Sequence, residues 1–170
     1  MKKTKFGLAG KNIAYSFSKK YFTDKFSRLF LPDHRYEIFD LADISDVAQL
    51  LHNKELQGFN VTIPYKEKIL PFLDDLSTEA KEIGAVNTVL LNDGKAIGYN
   101  TDAFGFEKTL LLHKKESQKK ALNLGDGGAA KAVKYVLQKN EIPFKTVSRK
   151  AALNFDTLTA EDVAEHQIII

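Results

Sequence analysis

Apolar positions along the 170-residue chain alternate between short runs and helix-like spacings. Residues 5–9 read as a strand. Tyr21, Phe22, Phe26, Leu29 and Phe30 then recur at helical spacing between Ser18 and Phe30, and Leu31-Pro32-Asp33 ends that helix. Residues 36–39 form a second predicted strand, Ile44, Val47, Leu50 and Leu51 mark a second helix, and residues 56–61 a third strand. Strand, helix, strand, helix, strand is the signature of an α/β domain with a mostly parallel sheet. Two short helical stretches (residues 66–73 and 77–83) precede a hairpin-like pair, residues 85–91 and 95–99, joined at Asn92-Asp93-Gly94.

A long helix is predicted from Thr101 to about His113, with Phe104, Phe106, Leu110 and Leu111 apolar. The lysine-rich stretch from His113 to Lys120 reads as a solvated hinge. After it the pattern restarts: a strand at 121–124, a glycine loop at 125–128, an alanine-rich helix at 129–138 and a strand at 144–148. Thr159-Ala160-Glu161-Asp162 is a helix start with a capping acid, and residues 167–170 form one more strand. The expected division is residues 1–100 as a first α/β domain, 101–119 as a helix and hinge linker, and 120–170 as the first half of a nucleotide-type βαβ domain. No helix follows Ile168-Ile169-Ile170 to cover it. The expectation is therefore a fragment, or a chain that self-associates through this uncovered strand.

Composition narrows the chemistry. Hydrophobic residues at 44% and aromatics at 11%, with twelve Phe and six Tyr, suit a packed core and argue against disorder. The absence of Cys excludes disulfides, thiol catalysis and Cys-ligated zinc. His34, His52, His113 and His166 are scattered without ligand spacing, so no metal site is expected. A net charge of +3 in mixed signs gives no case for nucleic acid. No apolar run reaches the ~18–20 residues of a membrane span. The basic start, Met1-Lys2-Lys3-Thr4-Lys5, is followed only by Phe6-Gly7-Leu8-Ala9-Gly10, too short for a signal peptide, so a cytoplasmic protein is expected.

Gly125-Asp126-Gly127-Gly128-Ala129-Ala130 lies between a predicted strand and helix. Glycines there allow a tight turn, and a helix N-terminus offers its amides to a phosphate. A Walker loop is disfavoured, because Lys131 follows Ala130 and precedes Ala132. The next strand ends Val147-Ser148-Arg149-Lys150, with no acid to hold a ribose 2′-hydroxyl and two cations that suit a 2′-phosphate. NADP is therefore preferred over NAD. Asp126 would repel a pyrophosphate unless it points away.

Polar residues also collect where the first domain's strands end: Ser16 and Ser18, Asn60 and Thr62 with Lys66, Asn87-Thr88, and Asn100-Thr101-Asp102. In open α/β sheets ligands gather at the carboxyl ends of strands. Hydroxyls and amides suit a small polyhydroxylated molecule, and Lys66 with Asp102 supplies a cation and carboxylate for proton transfer. Taken alone, Ser16 and Ser18 also suit caps for the helix near Ser18, Lys66 a solvated lysine, and Asp102 an acid at a helix N-terminus.

Three ordered motifs carry a resemblance. Gly58-Phe59-Asn60-Val61-Thr62-Ile63-Pro64-Tyr65-Lys66, Gly84-Ala85-Val86-Asn87-Thr88 and Gly98-Tyr99-Asn100-Thr101-Asp102-Ala103-Phe104-Gly105, followed by Leu124-Gly125-Asp126-Gly127-Gly128-Ala129, closely resemble the shikimate dehydrogenase family. The resemblance implies an α/β substrate domain followed by a Rossmann-like NADP-binding domain. It also implies NADP-dependent interconversion of 3-dehydroshikimate and shikimate in aromatic amino-acid biosynthesis. Carried over, Ser16 and Ser18 would bind the substrate carboxylate, and Thr62, Asn87 and Asp102 the ring hydroxyls, with Asn60 supporting its loop. Lys66 and Asp102 would be the catalytic pair. Gly125, Gly127, Gly128 and Ala129 would hold pyrophosphate, and Ser148, Arg149 and Lys150 the 2′-phosphate.

Lys19 stands where the family usually has Pro, and Ser148-Arg149-Lys150 where it has Asn-Arg-Thr. Family members continue beyond this chain, so the resemblance implies that roughly 60–100 residues of the cofactor domain are missing. A quinate/shikimate dehydrogenase is the close alternative. A chain that binds shikimate-like ligands without turnover is the distant one.

Overall fold

The computed structural model describes residues 4–170, and the basic residues 1–3 lie outside the described part. The chain divides into two compact units, Met1–Asn100 and Thr101–Ile170. In the first, β1 (Thr4–Gly10), β2 (His34–Asp40), β3 (Leu56–Val61), β4 (Asp75–Leu76), β5 (Thr88–Asn92) and β6 (Lys95–Tyr99) form one sheet in the order β2-β1-β3-β5-β6-β4. β1 runs parallel to β2 and β3, and β4 to β6, whereas β5 is antiparallel to both its neighbours. Helices α1 (Ser18–Arg28), α2 (Val47–Leu51) and α3 (Thr78–Ile83) complete the unit.

Alternation along the strands gives the sheet two apolar faces. The register sets Phe6 beside Tyr36 and Leu8 beside Ile38. This face packs under Phe22 and Phe26 of α1, and the Phe22 and Tyr36 rings stack at 4.3 Å. On the other face Ala9, Phe59, Val61 and Val89 join Val47, Leu50, Tyr65, Ile69 and Val86 in the larger core. Each large apolar side chain fully buried there contributes about 1.5–3 kcal/mol.

Three local expectations need correction, and one short strand was not foreseen. The first helix stops at Arg28, and Phe30, read as part of its apolar stripe, takes a left-handed φ of 55° and is 89% exposed. Phe30 N–H bonds to Ser27 O and Leu31 N–H to Phe26 O, the pair of reversed bonds that closes a helix at such a residue. Residues 66–73 form turns with one 3₁₀ turn at Leu70–Phe72, because Pro71 has no N–H to give to Glu67. The strand expected at 85–91 begins only at Thr88, since Val86 N–H goes to Lys66 O in the loop after β3. β4, two residues long, carries no periodicity in the sequence.

The second unit holds α4 (Thr101–His113), β7 (Ala121–Leu124), α5 (Gly128–Lys139), β8 (Phe144–Val147), α6 (Ala160–Glu165) and β9 (Ile168–Ile169). Its three strands are all parallel, in the order β8-β7-β9. Ala121, Leu122 and Asn123 of the central strand are buried, as are Ala132, Val136 and Leu137 of α5. Glu107 of α4 accepts hydrogen bonds from Lys139 Nζ and Asn140 Nδ2, both at 2.9 Å. Thr159 and Asp162 cap α6 reciprocally. Both units are α/β, the first with a mostly parallel sheet and the second with an all-parallel one whose first strand has a neighbour on each side, as in Rossmann-like domains. Among the described residues no helix is long and apolar enough to cross a membrane.

Candidate functional site

One edge of the first unit's sheet gathers the carboxyl ends of β1, β3 and β6. Lys11 N–H donates to Ile63 O (3.1 Å), Thr62 N–H to Ala9 O (2.9 Å), Val61 N–H to Asn87 O (2.8 Å) and Val86 N–H to Lys66 O (2.7 Å). These bonds bring together the segments that carry Ser16, Ser18, Asn60, Thr62, Lys66 and Asn87. A cis Ile63–Pro64 bond lies in this loop, and Asn100 Nδ2 donates to Ala85 O at 2.9 Å.

The loop after β1 is held from β2. Asp40 lies beside Gly10 in the register, and its carboxylate accepts Asn12 N–H at 2.7 Å and Ile13 N–H at 3.2 Å. Asn12 takes a left-handed φ of 56°, which Asn tolerates well. Ser16 Oγ donates to Ser18 Oγ at 3.1 Å and accepts Ser18 N–H at 3.3 Å. The helix therefore starts behind Phe17 without a side-chain cap, so capping is not what either serine does here. Gly10 is needed by close approach: a Cβ would stand 2.6 Å from Thr62 Cγ2 and 2.9 Å from Ile63 O.

Asn60 is tied on both sides. Tyr36 Oη donates to its Oδ1 at 2.8 Å, its Nδ2 donates to Thr88 Oγ1 at 3.1 Å, and Thr88 Oγ1 donates to Asn87 Oδ1 at 3.1 Å. Burial pushes the Tyr36 phenol pKa well up. Tyr65 is buried as well, and its hydroxyl donates to Leu41 O at 2.9 Å; burial first, then the carboxylates of Asp43, Asp46 and Asp40, push it up. An apolar cavity of about 240 Å³ under α1 has Tyr36, Asn60 and Thr88 among its lining, but not Thr62, Lys66 or Asn87.

The second unit holds the other candidate residues. β7 lies between β8 and β9, so the loop after it sits where the chain's path across the sheet reverses, the usual ligand crevice of such sheets. Gly125 has φ +141°, a value that side chains rarely adopt, and its carbonyl accepts Asn123 Nδ2 at 2.8 Å. Gly127 precedes α5 without a side-chain cap, with Gly128 and Ala129 opening the helix. A Cβ on Gly127 would meet nothing within 4 Å, so the protein's own packing does not require glycine there. That open side and the uncapped first turn fit a pyrophosphate. Ser148, Arg149 and Lys150 adjoin this loop: Gly125 N–H donates to Val147 O at 2.8 Å, and Ser148 Oγ to Asp126 Oδ2 at 2.9 Å. Asp102 stands in the first turn of α4, in the second unit, whereas Lys66 belongs to the first.

The sequence reading missed Tyr36, Asp40 and Asn123. The visible signal for Asp40 is its place at the last residue of a strand; for Asn123 it is a lone amide in an apolar run.

Comparison with known proteins agrees with these motifs. Residues 8–89 match the model for the shikimate dehydrogenase substrate binding domain. A shikimate dehydrogenase (NADP(+)) of Clostridium botulinum is 43% identical over 157 residues, covering 88% of this chain and 60% of that protein. One from Staphylococcus epidermidis is 39% identical over 159 residues, covering 92% and 58%. The chain thus spans about 60% of the length of the curated relatives it matches. The crystal structure of shikimate dehydrogenase from Aquifex aeolicus matches with TM-score 0.80 at 32% identity, covering 98% of this chain and 67% of that one. The Thermus thermophilus enzyme in complex with NADP(H) and shikimate matches with TM-score 0.77 at 31% identity, covering 98% and 62%.

Proposed function

Because the chain belongs to the shikimate dehydrogenase family, we propose that its protein reduces 3-dehydroshikimate reversibly to shikimate with NADP(H), a step toward chorismate and the aromatic amino acids. The observation that carries this reading is the gathering of the Ser16, Thr62, Lys66 and Asn87 segments at the carboxyl edge of one sheet. Ser16 and Ser18 take the substrate carboxylate. Thr62, Asn87 and Asp102 take the ring hydroxyls, and Asn60 keeps the loop of Thr62 in place. Residues 1–100 serve as the substrate domain and 120–170 as part of the cofactor domain, joined through 101–119.

Gly125, Gly127, Gly128 and Ala129 hold the pyrophosphate, and Ser148, Arg149 and Lys150 the 2′-phosphate. When bound, the nicotinamide supplies or accepts the hydride. Lys66, acting with Asp102, gives a proton to the reacting oxygen during reduction and takes it back during oxidation. Proton transfer of this kind is worth roughly 10²–10⁴-fold in rate. A cytoplasmic location goes with this role. Self-association through β9 draws support from its place at the sheet edge and from Ile169, which is 54% exposed.

The test is shikimate-dependent reduction of NADP⁺ by the chain, with Lys66→Ala beside it. Turnover lost in the variant supports the assignment. Shikimate binding without turnover points instead to a binding role, and faster turnover of quinate to the quinate/shikimate branch.

A further inference from the structure

Asp126 puts a carboxylate inside the glycine loop, where a pyrophosphate is expected to lie. Its Oδ2 accepts the Ser148 hydroxyl proton at 2.9 Å, so the carboxylate is turned toward the end of β8. Ser148 is 3% exposed, and its oxygen also accepts Lys150 N–H at 3.4 Å. A hydroxyl has one proton. While it serves Asp126, Ser148 cannot also donate to a phosphate. With that bond made, the cations at this end are Arg149 and Lys150, both exposed and, among the described residues, in no ion pair; Ser148 joins them at the phosphate only by leaving Asp126.

We propose that Asp126 is a specificity-determining residue that opposes the 2′-phosphate and so narrows the preference for NADP over NAD. The inference rests on the cofactor reading above. Two cations favour the phosphate, and one carboxylate hydrogen-bonded to their neighbour cancels part of that field. Across several ångströms of solvent-screened site, repulsion between a carboxylate and a phosphate of charge near −2 corresponds to roughly a three- to tenfold loss of affinity. The loss falls on the 2′-phosphate and not on the adenosine common to both cofactors. Asp126→Asn keeps an oxygen for Ser148 and removes only the charge.

The experiment is calorimetric titration of the chain and of Asp126→Asn with adenosine 2′,5′-bisphosphate and with adenosine 5′-monophosphate. The variant is expected to bind the bisphosphate roughly three- to tenfold more tightly and the monophosphate within about twofold, with the difference fading near 1 M salt, where the screening length is about 3 Å. Ser148→Ala, which breaks the same hydrogen bond and keeps the charge, is expected to gain nothing. Unchanged or weaker bisphosphate binding by Asp126→Asn overturns the proposal. So does an equal gain for both ligands, or an equal gain in Ser148→Ala. If the unaltered chain binds neither nucleotide, the cofactor reading itself fails, which is a separate result.

Discussion

Tyr36 and Asn60, on the two strands that flank β1, are joined by a 2.8 Å hydrogen bond from the phenol to the amide oxygen. The bond starts a one-way relay, Tyr36 to Asn60 to Thr88 to Asn87, that fixes the orientation of both amides. Asn87, proposed to meet a ring hydroxyl, thus takes its orientation from a tyrosine on β2. Tyr36→Phe leaves the Asn60 oxygen without that donor, and the expected loss is about 1–3 kcal/mol. Urea unfolding of the two proteins measures it, and an unchanged midpoint and slope would contradict the relay.

Asp40 carries the loop of Ser16 and Ser18 through two backbone amides, at 2.7 and 3.2 Å. Asp40→Ala frees Asn12 and Ile13, and because the site is exposed the expected stability loss is only about 1–2 kcal/mol. The larger effect is expected on shikimate, with affinity several-fold weaker and Lys66-dependent proton transfer intact. A titration in which shikimate affinity holds while stability falls would show that the loop needs no support from β2.

Most of the fold was legible because the apolar rhythm survives into the structure: Phe22 and Phe26 face the sheet as their spacing required, and Thr159 caps α6 with Asp162. The failures have local causes. Phe30 looked like core but sits past the point where reversed bonds close the helix, and Pro71 breaks a segment whose apolar spacing is otherwise helical. Within the candidate site, the residues lying in contiguous motifs were readable. Asp40 and Tyr36 were not, because their partners come from strand register, which sets Asp40 beside Gly10 and Tyr36 beside Phe6. No spacing along the chain encodes that pairing.

In the second unit, the Lys145 ammonium, followed by the Thr159 hydroxyl and N–H, holds the Asp162 carboxyl at about 2, against an ordinary value of 3.8. A depressed folded value adds stability above the unfolded value and loses it as the pH falls through the folded one. The advantage of the native chain over Asp162→Asn is therefore expected to be constant above 3.8 and to shrink between 3.8 and about 2. Thermal melts of the pair across that range test it. A difference that stays constant down to the lowest pH would mean that the cap, and not the charge, does the stabilising.

Gly10 and Gly127 look alike in the sequence, each at the end of a strand-and-loop segment, yet they answer to different demands. At Gly10 an added methyl meets Thr62 Cγ2 at 2.6 Å and Ile13 Cγ2 and the Ile63 carbonyl oxygen at 2.9 Å, and that carbonyl is held by Lys11 N–H at 3.1 Å, so it has little room to retreat. Gly10→Ala is expected to cost about 1–3 kcal/mol and to push the Thr62 loop off its place, weakening shikimate binding as well. At Gly127 the methyl meets nothing within 4 Å, and the backbone φ of −77° suits any residue. Gly127→Ala is therefore expected to melt as the native chain does, within about 0.5 kcal/mol, while nucleotide binding weakens because the methyl occupies the side open to a pyrophosphate. Melting curves and nucleotide titrations on the two variants separate the demands. If Gly127→Ala keeps full nucleotide affinity, the glycine loop is a turn and nothing more, and the cofactor assignment loses the geometry on which it stands.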